Sequence, residues 1–345
     1  MKKILLATTA LLVTAGGAAA QANLNLSGYA RFGVQYIGDN PSGDRWLSSN
    51  RFRLQLDAST TTDGGITFGA RQRFQVSNDG LGGQTTSVGS GARFFGSYEG
   101  LTIAFGNILG SVESAPLLYM NTASAGMGLS GNTFTELAPN TVSNNGVFGW
   151  TAFSSTGGGA RNAAEVIYNF GDFTVQAHIT DDRSVAAADI GTVILIGDRL
   201  GSRSWGARAS GNFEGFTVSL AYERWSRGFR DGDNVLFAGV GYDFGDGDVA
   251  LTYARTRYNA FDPIADEING IKANKWVAKG GYNVMPDLYA YGFVGRENNS
   301  IGTSYGLGAS YALGGGASVE AGYTRHRNAA GDGSNRFSGG IFFRF

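Results

Sequence analysis

The chain contains no cysteine, so disulfides, thiolate metal sites and cysteine nucleophiles are all excluded. Proline is scarce, at five residues, and beyond residue 22 lysine falls to Lys272, Lys275 and Lys279 against 22 arginines. The basic groups are therefore mostly permanently charged, planar forks. After residue 22 no apolar run approaches the ~20 residues that a spanning helix needs, which excludes a helical membrane protein. With a formal charge of −1 and no basic tract, no nucleic-acid partner is expected. Only two histidines exist, His178 and His326.

What is present is glycine, at 55 residues, together with 23 phenylalanines and 15 tyrosines. Glycine and aromatics in that abundance fit strands and tight turns. The N-terminus carries Lys2 and Lys3, an apolar run over residues 4–13 and the small residues Ala18, Ala19, Ala20 and Ala22. This pattern predicts a secretory signal peptide over 1–22, cleaved after Ala22 or, as the alternative, after Ala20. An N-terminal anchor is the other reading, and its apolar core is short for a spanning helix.

From residue 23 to residue 345 the chain alternates apolar with polar or small side chains. In the last segment Phe337, Ile341, Phe343 and Phe345 share one parity, while Arg336, Ser338 and Arg344 share the other. One face suits lipid and the other water. A bilayer tolerates such a strand only in a closed barrel, because an open edge leaves backbone groups unpaired in hydrocarbon. The expectation is one all-β domain over 23–345, a 16-stranded antiparallel transmembrane β-barrel running from a strand at 24–38 to one at 334–345. The fourth strand is expected at 90–98, and a loop at 260–271 separates strands at 247–259 and 272–284. Connections alternate between short turns, such as Glu99-Gly100 and Glu214-Gly215, and longer loops, as periplasmic turns and outer loops do.

One connection is far longer than the rest. Residues 108–159 are expected to fold into the lumen as a constriction loop, with a disordered outer loop as the alternative and an extra strand segment within 146–153 left open. Their only charged side chains are Glu113 and Glu136.

Stretches at the two ends of the chain carry a family resemblance. L-N-L-S-G-Y-A-R-F-G-V-Q-Y at 24–36, S-S-N-R-F-R-L at 48–54 and D-G-G-I-T-F-G-A at 63–70 resemble the start of alphaproteobacterial general diffusion porins. Y-G-L-G-A-S-Y-A-L-G-G-G-A-S-V at 305–319 and the terminal I-F-F-R-F resemble their end. The resemblance implies a homotrimer in the Gram-negative outer membrane, with an inward third outer loop whose acids face a cluster of wall arginines. It further implies a water-filled channel for passive diffusion of small hydrophilic solutes and ions, and Phe345 as the signal to the barrel assembly machinery. Calcium is implied for some relatives through clustered loop carboxylates, but this loop has only two acids, so no cofactor and no metal are expected.

The parity itself nominates the site. Arg31, Arg51, Arg53, Arg71, Arg73 and Arg93 all fall on the water-facing side, with Asp57 the only acid placed among them. An arginine on the lipid side near mid-bilayer would cost ~2–4 kcal/mol. Clustered guanidinium groups in a narrow aqueous pore create a field that biases ion entry. A second role, holding the inward loop by its carbonyls and Glu113, is compatible with the first. With Glu113 and Glu136 opposing six arginines, the channel is expected to prefer cations less than its acidic relatives, leaning toward anions.

Gln72, Gly28 and Ala30 are polar or small residues on the lipid parity, which suggests protein contact and nominates strands one to five and sixteen as the subunit interface. Tyr36, Tyr98, Tyr168, Tyr222, Tyr242, Tyr282, Tyr311 and Tyr323 are candidates for interfacial girdles. No enzyme is expected: His178 and His326 fall on lumen parity as solvated wall residues, without the arrangement a nucleophilic serine requires. The glycine runs at 157–159 and 314–316 lack phosphate-loop context, and the acidic turn at 243–248 lacks calcium-loop spacing. A substrate-specific channel, and a barrel hydrolase or adhesin with a filled interior, are the rival readings.

Overall fold

The computed structural model describes residues 22–38, 43–78, 86–121, 126–132, 137, 150, 162–182, 202–226, 231–262, 267–298, 302–327 and 333–345. Residues 1–21 and Glu136 lie outside the described residues, and so do the expected signal peptide up to Gln21 and the possible strand at 146–153 apart from Trp150.

The strands are β1 (Asn23–Ile37), β2 (Trp46–Thr61), β3 (Thr67–Asn78), β4 (Thr86–Gly89), β5 (Arg93–Tyr98), β6 (Leu101–Gly106), β7 (Ala163–Phe170), β8 (Phe173–Asp182) and β9 (Ser202–Phe213). The second half comprises β10 (Phe216–Trp225), β11 (Asn234–Asp243), β12 (Gly247–Asp262), β13 (Glu267–Met285), β14 (Leu288–Glu297), β15 (Ser304–Gly314), β16 (Ala317–Arg327) and β17 (Gly333–Arg344). Apart from β4 and β5, which both pair with β3, each strand pairs antiparallel with its neighbours in sequence, and β1 pairs with β17 from Tyr29↔Arg344 to Ile37↔Arg336, which closes the barrel. Closure leaves no edge, so the ladder satisfies the backbone within the membrane.

β4 and β5 pair one after the other along β3, so together they form one of sixteen staves. The fourth strand, expected to start at residue 90, is thus interrupted there. Ser90 still donates its N–H to the Arg73 carbonyl at 2.9 Å, but its Oγ accepts from the Arg73 N–H at 3.2 Å and the Gln72 side-chain amide donates to its carbonyl, in place of regular ladder bonds. A second difference is the β12–β13 hairpin, whose pairing runs on through Ala260↔Asn269 to Asp262↔Glu267 where a loop was expected. The turn-forming residues Asp262, Pro263, Asp266 and Gly270 hid a ladder held by its backbone.

The short turns follow from their residues. Glu99 and Gly100 have φ of 45° and 84°, and Glu214 and Gly215 have 47° and 81°. Two successive left-handed residues form the hairpin turn whose twist matches the flanking strands. Outward positions carry the apolar band: Phe32, Phe52, Phe68, Phe94, Ile103, Leu220, Leu251 and Leu307 are all exposed. The expected girdle tyrosines Tyr98, Tyr168, Tyr242, Tyr282, Tyr311 and Tyr323 are exposed on the same face.

The inward face is not uniformly polar, contrary to the two-face expectation. Ala221 and Trp225 of β10, Val235 and Phe237 of β11, Ala254 of β12, Ala273 and Val277 of β13, and Tyr291 and Phe293 of β14 form a buried apolar cluster. Val112, Ala115, Leu118, Met120, Leu129 and Leu137 complete it. These strands bear apolar groups on both faces because Val112, Ala115, Leu118, Met120, Leu129 and Leu137 cover the inner one. Burying a side chain such as Leu118 contributes ~1.5–3 kcal/mol, which holds an otherwise irregular segment in place.

Candidate functional site

The inner surface of β1–β5 presents the arginines. β2 and β3 are in register at Arg51↔Ser77, Arg53↔Gln75, Gln55↔Arg73 and Asp57↔Arg71, so arginine alternates with amide or carboxylate across the pair. Arg53 Nε donates to Gln75 Oε1 at 2.9 Å, and Arg73 Nε donates to Gln55 Oε1 at 2.6 Å. Arg71 pairs with Asp57 at 2.6 Å. Arg31 and Arg51 are cross-strand partners on β1 and β2, with both side chains half-buried. The Arg53 guanidinium also lies 5.2 Å from the Tyr29 ring centroid, in range of a cation–π attraction.

Arg93 departs from the expected arrangement. It pairs at 2.8 Å with Glu165 of β7, a fully buried carboxylate that no sequence pattern places beside it. Asp57 is therefore not the only acid among the arginines, and Arg93 is largely neutralised.

The described stretches 107–121 and 126–132 are fastened to the wall by β1, β8, β9, β13, β14 and β16. The Ser111 N–H donates to His178 Nδ1 at 3.0 Å, with Ser111 Oγ 2.7 Å from the same nitrogen. Ser114 Oγ donates to Gln176 Oε1 at 2.6 Å, and Arg208 Nη1 donates to the Ser114 carbonyl at 2.9 Å. Lys279 Nζ donates to the Leu117 carbonyl at 2.6 Å and to the Tyr119 carbonyl. Further along, the Met127 N–H donates to a Glu320 carboxylate oxygen, and Ser130 Oγ lies 3.0 Å from the Tyr291 hydroxyl. Of the six arginines, Arg31 makes a described hydrogen bond to the segment, from Nη1 to the Gly126 carbonyl at 2.7 Å. Arg208, Lys279, Gln176, His178 and Glu320, none of them among the six, thus share in holding the described part of the segment. His178 is buried among these contacts rather than solvated as expected, and His326 is buried as well.

Close approach also requires small wall residues. A β-carbon on Gly33 would come within 2.8 Å of the Met127 methyl, and one on Gly322 within 2.8 Å of the Leu129 nitrogen.

Glu113 faces the arginines from the segment. Its carboxylate accepts from the Tyr119 hydroxyl and from the Trp150 indole N–H, both at 2.6 Å. Burial pushes this carboxyl above the ordinary carboxylate value, while the two hydrogen bonds and the fields of Arg53 and Arg73 pull it down. Its partner acid in the sequence reading, Glu136, lies outside the described residues.

The residues nominated for subunit contact behave differently from one another. Ala30 is half-buried on the outer face between Phe52 and Phe343 of its own sheet. Gln72 points outward, yet its amide is used within the chain on Ser90. The smallness of Gly28 likewise has an intrachain cause, since a β-carbon there would meet the Arg53 carbonyl oxygen at 2.2 Å and the Phe345 ring at 2.8 Å.

A closed antiparallel barrel with an apolar outer band and an arginine-bearing inner wall is a transmembrane channel of the β class. The chain belongs to the Gram-negative porin family, whose model matches residues 7–331. It is 26% identical over 300 residues to a porin of Fuscovulum blasticum, covering 86% of this chain and 92% of that one. A porin of Rhodobacter capsulatus is 26% identical over 335 residues, covering 87% and 93%. Among solved structures, a mutant of the Rh. blastica porin matches with a TM-score of 0.70 at 25% identity, over 94% of this chain and all of that one. The protein is an outer-membrane diffusion channel.

Proposed function

We propose that the chain is a general diffusion porin whose selectivity is set between the arginine wall and Glu113. The described part of 108–159 acts as the constriction loop. Its long connections lie outside the cell and its short turns face the periplasm. The single observation that carries the reading is the opposition of Glu113 on the inward segment to Arg53 and Arg73 on the wall, close enough for each to act on the other's charge. Asp57 and Glu165 offset Arg71 and Arg93, the field of Glu320 reaches Arg31, and Arg53 and Arg73 face Glu113 across the pore. The net field favours anions over cations, less strongly than a count of six arginines implies.

The functional unit is a homotrimer joined through the outer faces of β1–β6 and β17, with Ala30 as the best retained contact. The barrel assembly machinery recognises Phe345. No cofactor or calcium takes part, because conduction needs only a hydrated path and a fixed field.

Catalysis is not part of this function. Ser111, His178 and Glu223 stand in a row, with His178 Nε2 3.6 Å from a Glu223 oxygen. All three are buried, Ser111 and Glu223 at 0% exposure, so no substrate carbonyl reaches the hydroxyl. The row fastens the loop.

The test is conductance of the purified protein in a planar bilayer, then its reversal potential in a salt gradient. The expected result is current in steps of three with anionic sign. A clearly cationic sign defeats the arginine assignment, saturable block by one solute favours a substrate-specific channel, and no current from folded protein favours a filled barrel.

A further inference from the structure

Arg344 of β17 also lies on the inward face, beside the wall of arginines on β1–β5. Its cross-strand partner on β1 is Tyr29, and the partner of Tyr29 on β2 is Arg53, so the three side chains share one inward row. The guanidinium groups of Arg344 and Arg53 each lie 5.2 Å from a ring centroid, over Phe342 and Tyr29. Those two rings are buried against each other, with centroids 5.8 Å apart. An arginine laid on a ring is held flat and keeps the edge of its fork free to donate. The wall of arginines thus continues across the seam onto β17. Arg344 is its least engaged member. Arg31, Arg51, Arg53 and Arg73 are all half-buried, whereas Arg344 is exposed and, among the described residues, makes no ion pair. The field of Glu320 reaches it, yet that carboxylate is occupied elsewhere, accepting from the Met127 N–H on one oxygen and from Ser318 Oγ at 3.1 Å on the other.

The short turns at this end of the barrel are otherwise acidic. Six of the seven each present an exposed acid, namely Asp63, Glu99, Asp172, Glu214, Asp246 and Asp287, and none of the seven contains lysine or arginine. The remaining one, between β15 and β16, is glycine alone: Gly314, Gly315 and Gly316, at φ of 85°, 60° and 82°. It is also the turn next to Arg344, whose backbone N–H donates to the Gly316 carbonyl at 3.0 Å. Nothing lies within 4 Å of a β-carbon built on Gly314 or Gly315, so lack of room does not exclude a side chain there. A left-handed backbone favours glycine, yet Glu99 and Glu214 show that this chain sets acids on left-handed turn residues. The mouth therefore repels anions at six turns and has one turn without an acid, with an exposed cation beside it.

We propose that Arg344 is a specificity-determining residue of this pore, the landing site through which small anions pass between the arginine wall and the turn end of the barrel, by way of the glycine turn. The inference rests on the anion-favouring pore proposed above, and its own observation is the exposed fork of Arg344 beside the one short turn that lacks an acid. An anion leaving Arg53 meets Arg344 as the next donor along the row, two strand spacings or about 10 Å away. At about 0.1 M salt the screening length is of the same size, so an anion between them stays in the field of one or the other. The other turns offer no such step, because each sets a carboxylate at the exit.

The test is the reversal potential of the full chain in a planar bilayer, under a potassium chloride gradient centred on about 0.1 M. Arg344→Gln should lower the chloride-over-potassium permeability ratio roughly threefold, the effect of one charge acting through water at ~7 Å with partial screening. Arg344→Lys should keep the wild-type ratio, because the charge remains and only the stacking changes. Gly315→Asp, an acid on a backbone that aspartate tolerates, should lower the ratio with Arg344 still in place. In a gradient centred on about 1 M, where the screening length shrinks to ~3 Å, the Arg344→Gln shift should largely vanish. An unchanged ratio in Arg344→Gln beside a lowered one in Arg53→Gln overturns the landing site and leaves the arginine wall as the selectivity element. Ratios unchanged in both variants remove the selectivity reading itself. A ratio that falls alike in Arg344→Gln and Arg344→Lys, with a lower midpoint of urea unfolding in each, makes Arg344 a packing residue for Phe342 and overturns the proposal. A wild-type ratio in Gly315→Asp overturns the passage by the glycine turn.

Discussion

The Phe345 ring lies over Gly28. The two residues exchange backbone hydrogen bonds, Gly28 N–H to the Phe345 carbonyl at 2.9 Å and Phe345 N–H to the Gly28 carbonyl at 3.1 Å. The ring also stacks on Phe52, with centroids 5.8 Å apart. The last residue thus fastens the seam between β17 and β1 besides any part it plays in assembly. Gly28→Val should crowd both the Arg53 carbonyl and the Phe345 ring and cost ~1–3 kcal/mol of folding stability, as overpacking does. Midpoints of urea unfolding in detergent measure this, and an unchanged midpoint would mean that the close approach at Gly28 does not matter to the seam. Deleting Phe345 should lower both that midpoint and outer-membrane incorporation, whereas a pure targeting role would lower incorporation alone.

Gln72 yields a sharper separation of roles. Its amide reaches the Ser90 carbonyl where β4 and β5 part, on the membrane side of the sheet. Gln72→Leu leaves that carbonyl without its donor in an apolar setting, at ~1–3 kcal/mol. The expected outcome is a less stable monomer with an unaltered balance of trimer and monomer on a semi-native gel. If the balance shifts while monomer unfolding stays the same, Gln72 belongs to the subunit interface after all.

Strand order, facing and closure were legible because a half-buried strand writes its facing into a period of two, and Arg31, Arg51, Arg53 and Arg73 obey that period. The path of the inward segment was not legible, since it depends on contacts between residues far apart in sequence, such as Lys279 with Leu117. A trace of it was present. Val235 and Phe237 on β11 are apolar on the parity that should face water, and Lys275 and Lys279 place two of the three lysines beyond residue 22 on the same face of β13. Both departures mark wall that something else covers. Glu165 carried no such mark, because a carboxylate on lumen parity looks the same whether it faces water or Arg93.

Lys279 is the anchor most exposed to test. Its ammonium group holds the carbonyls of Leu117 and Tyr119, on either side of the buried Leu118. Lys279→Met keeps the length and apolar stem but removes both donors. The apolar cluster should keep the segment inside the barrel while its middle loosens. Single-channel records should then show more current fluctuation with little change in mean conductance, and a quiet trace equal to wild type would count against the anchor.

Glu113 gives the pore a pH dependence whose sign follows from its surroundings. Burial raises its affinity for a proton, so on acidification it loses its charge at a higher pH than an exposed carboxylate does. The arginines do not titrate in that range. As pH falls, the negative side of the eyelet is neutralised first and the positive side stays, so anion preference should rise. Reversal potentials across a salt gradient, recorded from neutral to mildly acid pH, should move toward the chloride limit. Glu113→Gln should show the stronger anion preference already at neutral pH and lose that step, while keeping a hydrogen-bonding partner for Tyr119 and Trp150. Were the step to persist unchanged in Glu113→Gln, another carboxylate would be setting the field, with Asp57 and Glu165 the next to replace.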